Sequence, residues 1–123
     1  MKSLSVIIGG AIGAYLRFAC QNWAMGRWGI IFPYGTLLVN ISGAFLMGFV
    51  MTILLNHLHV ASAWRLFLVT GILGGYTTFS ALAWEGYSLF ADGSLWPAVT
   101  YLGGSFFGGA LAVTLGVFIG RFF

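Results

Sequence analysis

The sequence predicts an all-α membrane protein of four transmembrane helices, the third of them broken in mid-membrane. Three observations carry this expectation. Of 123 residues, 60% are hydrophobic and 6% charged, far from the roughly 25% charged residues of an ordinary soluble domain. At about 20 residues per span the length holds four helices with short loops and leaves no room for a soluble domain, so one domain over residues 1–123 is expected. Residues 70–80, TGILGGYTTFS, set two adjacent glycines and two threonines in the middle of an apolar run, where a membrane helix would otherwise continue.

The first span is expected over Leu4 to Met25. Lys2 followed by an apolar run resembles a signal peptide, and Ala19-Cys20 a lipoprotein cleavage site, but Arg17 interrupts the run and the rest of the chain is equally apolar. Pro33 to Leu58, Arg65 to Phe90 and Leu95 to Phe122 make the other three spans, joined by loops over Gly26 to Phe32, His59 to Trp64 and Ala91 to Ser94. Trp23, Trp28, Trp64 and Trp96 fall near span ends, where amphipathic rings sit at the membrane interface. The terminal side carries Lys2, Arg65 and Arg121 against Arg27 opposite, which favours cytoplasmic termini; differences of single residues leave both orientations open. The formal charge of +3 is scattered singly, which argues against nucleic-acid binding, and Cys20 is alone, so no disulfide forms within the chain.

Glycine is used for packing here. Gly104, Gly108, Ala112, Gly116 and Gly120 recur every four positions and lay a smooth strip along one face of the fourth helix. Gly9 with Gly13, and Ala44 with Gly48, repeat the small-xxx-small device for close helix contact. The strip suggests an oligomer, although it serves equally well within one subunit.

A helix is broken in hydrocarbon only where protein, water or an ion satisfies the freed backbone groups, so the interruption points to a bound ion between two half-helix ends. Thr36 and Asn40 lie four apart on the second span with Ser42 nearby, and Tyr101 and Ser105 four apart on the fourth. Each alone reads as interhelical glue; beside a broken helix they read as a polar track. Phe79 and Leu82 project from one side of the third helix after the break, and an aromatic ring edge is positive enough to meet an anion. Arg17 and Glu85 are the charges inside spans, and each needs a partner, a watery vestibule or the interface; Arg17 serves as anchor or vestibule charge, and Glu85 pairs with it or with pore hydroxyls. His57 and His59 flank a loop without a ligating partner, and the chain holds no nucleophile elbow, phosphate loop or haem motif, so no enzyme is expected.

In order and spacing the chain resembles the Fluc/CrcB family of fluoride channels from end to end. The resemblance rests on Gly9-Gly10 through Gly13-Ala14 to Arg17, on Gly35-Thr36-Leu37 and Asn40 to Gly43, on Thr70-Gly71 leading to Gly74-Gly75-Tyr76-Thr77-Thr78-Phe79-Ser80, on Glu85, and on Tyr101 with Ser105. It implies an antiparallel, dual-topology dimer in the cell membrane with two fluoride pores and a central sodium ion that is structural and not transported. By position the sodium would be held by the carbonyls of Gly74 and Thr77 from both subunits. Asn40 and Ser105 would donate hydrogen bonds to fluoride, Phe79 would present its ring edge, and Tyr101, Ser80 and Glu85 would lie along the track. Passive efflux of fluoride would then protect the cell.

Two positions depart from the family pattern. Where it reads Thr-Thr-Phe-Ser-Thr-Phe, this chain has Ala81 and Leu82 after Thr77-Thr78-Phe79-Ser80, losing a track hydroxyl and the second pore phenylalanine. Either a homodimer conducts with half the usual aromatic pairing, or the chain is the half-channel subunit of a heterodimer with a homologue. A small multidrug exporter also has four short helices, but needs a first-span carboxylate that is absent here, and a non-transporting assembly subunit would use the same polar residues as glue alone.

Overall fold

The computed structural model describes residues 1–56 and 61–123. Four stretches are long and apolar enough to cross a membrane, Lys2–Trp28, Tyr34–Asn56, Ser62–Ala91 and Leu95–Gly120, and the chain is a multi-pass membrane protein. Each lies within a few residues of its expected place. The second span ends at Asn56; His57 and His59 lie outside the described residues.

Local chemistry sets the ends. The first helix runs one turn further than hydropathy suggests, through Arg27 and Trp28, and stops at Gly29, whose φ of 81° an L side chain rarely adopts. Gly93, also at φ 81°, closes the short turn into the fourth helix. Pro97 sits in the first turn of that helix, where its missing N–H interrupts no intrahelical bond. Trp23 and Trp28 meet edge to face at 5.3 Å at one end of the bundle, as Trp64 and Phe67 do at 5.7 Å at the other.

The third span is not one continuous α-helix. Ser62–Arg65 is α-helical, Leu66–Leu73 is wound as a π-helix, Gly74–Tyr76 returns to α, and Phe79–Ala91 forms the second half. Between the halves Thr77 (φ −80°, ψ 156°) and Thr78 (φ −148°, ψ 124°) are extended, so the interruption falls on the two threonines, just after the glycine pair. The π-winding has no counterpart in the hydropathy pattern.

Glycine contacts hold the first helix on this irregular span. A Cβ at Gly9 would lie 2.5 Å from the Phe67 carbonyl oxygen, and one at Gly75 would lie 2.6 Å from that of Gly10. A Cβ at Gly13 would strike the Ile72 carbonyl. Backbone therefore rests on backbone, an arrangement that any side chain would push apart.

The small-residue strip of the fourth helix packs within the chain, against the second helix. A Cβ at Gly108 would come within 2.7 Å of Ile41 Cδ1, one at Gly120 within 3.0 Å of Thr52 Cβ, and one at Gly116 would strike the Phe45 carbonyl. From the other side Gly48 abuts the Val113 carbonyl. Pairing Ile41 with Gly108 and Thr52 with Gly120 makes the two helices parallel, as alternate members of an up-down bundle must be. Gly104 alone in the strip has open space before it.

Gly116→Ala should lower stability in detergent by about 1–3 kcal/mol through overpacking, whereas Gly109→Ala, which meets nothing within 4 Å, should leave it unchanged or raise it. Thermal unfolding of the two variants beside the wild type makes the comparison; equal losses would show that the strip is not the contact described.

Candidate functional site

The break is fixed by hydrogen bonds from the second helix. In a continuous helix the Thr78 N–H would return to the Gly74 carbonyl. Here it donates to Asn40 Oδ1 at 2.8 Å, while Asn40 Nδ2 donates to the Thr78 carbonyl at 2.9 Å. One carboxamide thus satisfies both backbone groups of an extended residue, as a β-strand neighbour would, and the Gly74 carbonyl loses its helical partner. A primary amide carries two N–H bonds, so Asn40 retains one donor beyond this clamp.

Neighbouring residues complete the hinge. Thr78 caps the second half-helix, its Oγ1 accepting from Ala81 N–H at 3.3 Å. Thr77 N–H and Oγ1 both return to the Leu73 carbonyl at 3.1 Å, and its methyl presses on Gly43, where a Cβ would collide with it. Ser42 Oγ and the Tyr76 hydroxyl lie 3.0 Å apart. Arg17 turns inward: its Nη1 donates to the Thr77 carbonyl at 3.2 Å.

A second polar group lies toward the end of the bundle where the first helix finishes. Glu85 takes hydroxyl donors on both oxygens, Thr36 Oγ1 to Oε1 at 2.9 Å and the Tyr101 hydroxyl to Oε2 at 2.6 Å. Thr36 in turn accepts from Gln21 Nε2 at 3.0 Å. Tyr101 is fully buried, with Phe32 set edge to face against it at 5.6 Å. Of the two partners open to Glu85 from the sequence, Arg17 and the hydroxyls, the structure brings it to the hydroxyls. Gln21, Thr36 and Glu85 line a cleft of about 300 Å³ with Asn22, Tyr34 and Gly35.

The parallel register of the second and fourth helices aligns Thr36 with Tyr101 through Glu85, so Asn40 and Ser105 each sit one turn further into the membrane from that pair. Ser105 is 7% exposed, and its Oγ is buried with no hydrogen-bond partner among the described residues. An unpartnered hydroxyl in such a place is expensive, by about 1–3 kcal/mol, unless something else meets it.

Phe79 and Leu82 open away from this polar core. Phe79 is 81% exposed and shares with Leu82, Gly86, Phe90, Ala98 and Leu102 an apolar groove of about 540 Å³ on the outer face. Ser80 is exposed next to Phe79 in the chain, and Gly74, before the break, is exposed as well. The structure therefore joins Thr36, Glu85 and Tyr101 in one network and holds Arg17 and Asn40 at the break, but it does not bring Phe79, Leu82 or Ser80 to either. Gln21 is the member that sequence reasoning passed over. Its signal was present: it is the only glutamine, one turn after Arg17 on the same helix face.

Known proteins resemble the chain over nearly its whole length. Residues 4–117 match the family described as CrcB-like protein, Camphor Resistance (CrcB). A protein of Roseiflexus sp. named fluoride-specific ion channel FluC is 45% identical over 121 residues, which is 98% of either chain. One of the same name from Chloroflexus aurantiacus is 43% identical over 120 residues, 98% of this chain and 95% of its own, and one from Hydrogenovibrio crunogenus is 37% identical over 123 residues, 100% of this chain and 93% of its own. With a broken third span, clamped by an asparagine, and a relationship that runs from end to end, the chain belongs to the CrcB family.

Proposed function

We propose that the protein is a fluoride-selective channel of the cell membrane that lets fluoride leave the cell passively and so limits its toxicity. The relatives' shared name supports the ion, and one observation supports the path: Ser105 offers a buried hydroxyl donor that no group among the described residues takes. Fluoride is small and tightly hydrated, so a selective route replaces its water by compact donors while excluding larger halides. Ser105 Oγ and the spare N–H of Asn40 are neutral donors at one depth, and neutral donors bind an anion without trapping it. By the family resemblance Tyr101 and Ser80 would continue the track, Tyr101 through the oxygen of a hydroxyl whose proton is held by Glu85 and Ser80, exposed in one chain, only once a second subunit closes over it. Glu85, with both oxygens already holding hydroxyls, orients Thr36 and Tyr101 rather than meeting the anion itself.

The pore needs more than one chain in this reading. Phe79 turns its ring outward, where it lends an edge to fluoride only if a second subunit closes over it. An antiparallel homodimer places two such faces together, and exposed Gly74 suits close approach at the symmetry centre. The resident sodium ion, structural and not transported, fits the donor chemistry: backbone oxygens are hard ligands, and the Gly74 carbonyl has lost its helical partner. When bound, the cation would neutralise carbonyl dipoles of the two broken helices and lock the halves together. Thr77 is the second proposed ligand.

A heterodimer with a homologue is the second reading, favoured by Leu82. It lines the same groove as Phe79 at the position where the family pattern carries a second phenylalanine.

Purified protein in liposomes should release fluoride down its gradient with no proton gradient imposed; a requirement for protons would point to a coupled exporter, and no flux to an assembly subunit. Ser105→Ala should reduce flux about tenfold or more, by loss of one hydrogen bond of ~1.5–3 kcal/mol to a charged group, while the melting temperature holds or rises because no protein partner is lost. Unaltered flux in Ser105→Ala would remove the assignment. Phe79→Ile should likewise cut flux without disturbing the fold, because its ring is exposed in the subunit. For the dimer, flux that appears only on co-reconstitution with a second homologue from the same cell would replace the homodimer by the heterodimer.

A further inference from the structure

The Thr77 carbonyl, given above to the structural sodium, already has a cationic partner. Arg17 Nη1 donates to it at 3.2 Å from the first helix, 60 residues away in the chain. A guanidinium is permanently charged, and two positive charges held on one oxygen repel each other steeply where water is scarce. We propose that the Arg17 side chain and the cation occupy the Thr77 oxygen alternately, so that Arg17 is a tethered competitor that sets the sodium affinity of the break. This rests on the sodium reading above and adds to it a residue that regulates the site.

Several features make the alternation physically reasonable. Arg17 holds the carbonyl by a single long hydrogen bond, not by the bidentate fork that makes arginine contacts strong. Its chain has a second place to go. Gln21 lies one turn on along the same helix face, and Gln21 Nε2 leads through Thr36 Oγ1 to the Glu85 carboxylate. A carboxylate with one hydroxyl on each oxygen still has acceptor capacity. Without a cation the guanidinium supplies positive charge to a carbonyl that hydrocarbon cannot solvate; with one present, the side chain turns along its own helix face toward Gln21, whose amide is already hydrogen-bonded into the Glu85 network. Thr78 is untouched by the exchange, because both its backbone groups belong to Asn40. The break therefore keeps its shape in either arrangement.

A merely structural role for Arg17 makes the opposite prediction, since removing a staple loosens the site and weakens cation binding. The test follows the unfolding midpoint of full-length protein in detergent as sodium chloride replaces choline chloride at constant ionic strength. The sodium-free midpoint of Arg17→Gln falls under either role, but the sodium concentration giving half the stabilisation separates them. Competition predicts that Arg17→Gln reaches it at about tenfold lower sodium than the wild type. An unchanged or higher concentration overturns the competition and leaves the sodium reading standing. No response to sodium in either protein removes both. Should Arg17→Gln fail to fold, Arg17→Met, which removes the charge and the donors at a similar length, applies the same criterion: a half-point below wild type supports the proposal, and one at or above it does not.

Discussion

The carboxamide of Asn40 on the backbone of Thr78 is the interaction from which the rest of the site follows. In the bilayer a freed peptide N–H or C=O finds no water, and each such group left alone costs several kcal/mol. The chain breaks its third span at two residues and repairs most of the damage with one side chain. Both hydrogen bonds are short, 2.8 and 2.9 Å, and they come from a neighbouring helix, so the position of the break is coupled to the packing of the second helix. That helix is itself fixed by the fourth through contacts at Gly108, Gly116 and Gly120. The small-residue strip and the polar hinge are in this sense one device: close parallel packing fixes the depth of Asn40, and Asn40 fixes the break.

Around the hinge, polar groups are distributed by what satisfies them. Glu85 is the acidic group inside a span, and two hydroxyls meet its two oxygens. Such contacts reduce the penalty of a charge at depth without neutralising it. Arg17 lies on the far side of Gln21 and serves the break. The positive and negative charges of the membrane interior are thus placed apart, each against neutral donors or acceptors. Ser105 departs from this rule: among the described residues its buried hydroxyl has no partner.

Much of this was readable beforehand. Hydropathy and length gave four spans with boundaries a few residues from those found, because only continuous apolar helices satisfy the bilayer. The run from Thr70 to Ser80 announced an interruption, since glycine pairs and threonines weaken a helix in a segment where lipid demands one. The i, i+4 pairs Thr36 with Asn40 and Tyr101 with Ser105 announced a polar face on two helices. The placement of the interruption at Thr77 and Thr78, after the glycines, was not readable: glycine permits close approach to the first helix, and the Asn40 clamp selects which residue unwinds. The π-winding over Leu66–Leu73 was likewise hidden, because an extra residue per turn changes which side chains share a face without changing composition.

By itself, then, the sequence determined the number and order of the membrane spans, the polar inventory within them and the family, all of which depend on composition and on spacing along one helix. The tertiary structure decided who meets whom. It sent the strip from Gly108 to Gly120 to the second helix of the same chain, gave Glu85 to Thr36 and Tyr101 and Arg17 to Thr77, and left Ser105 without a partner among the described residues. Those outcomes turn on the register between helices far apart in the chain, which periodicity within a helix does not encode, and on backbone atoms whose freedom exists only once the break has formed.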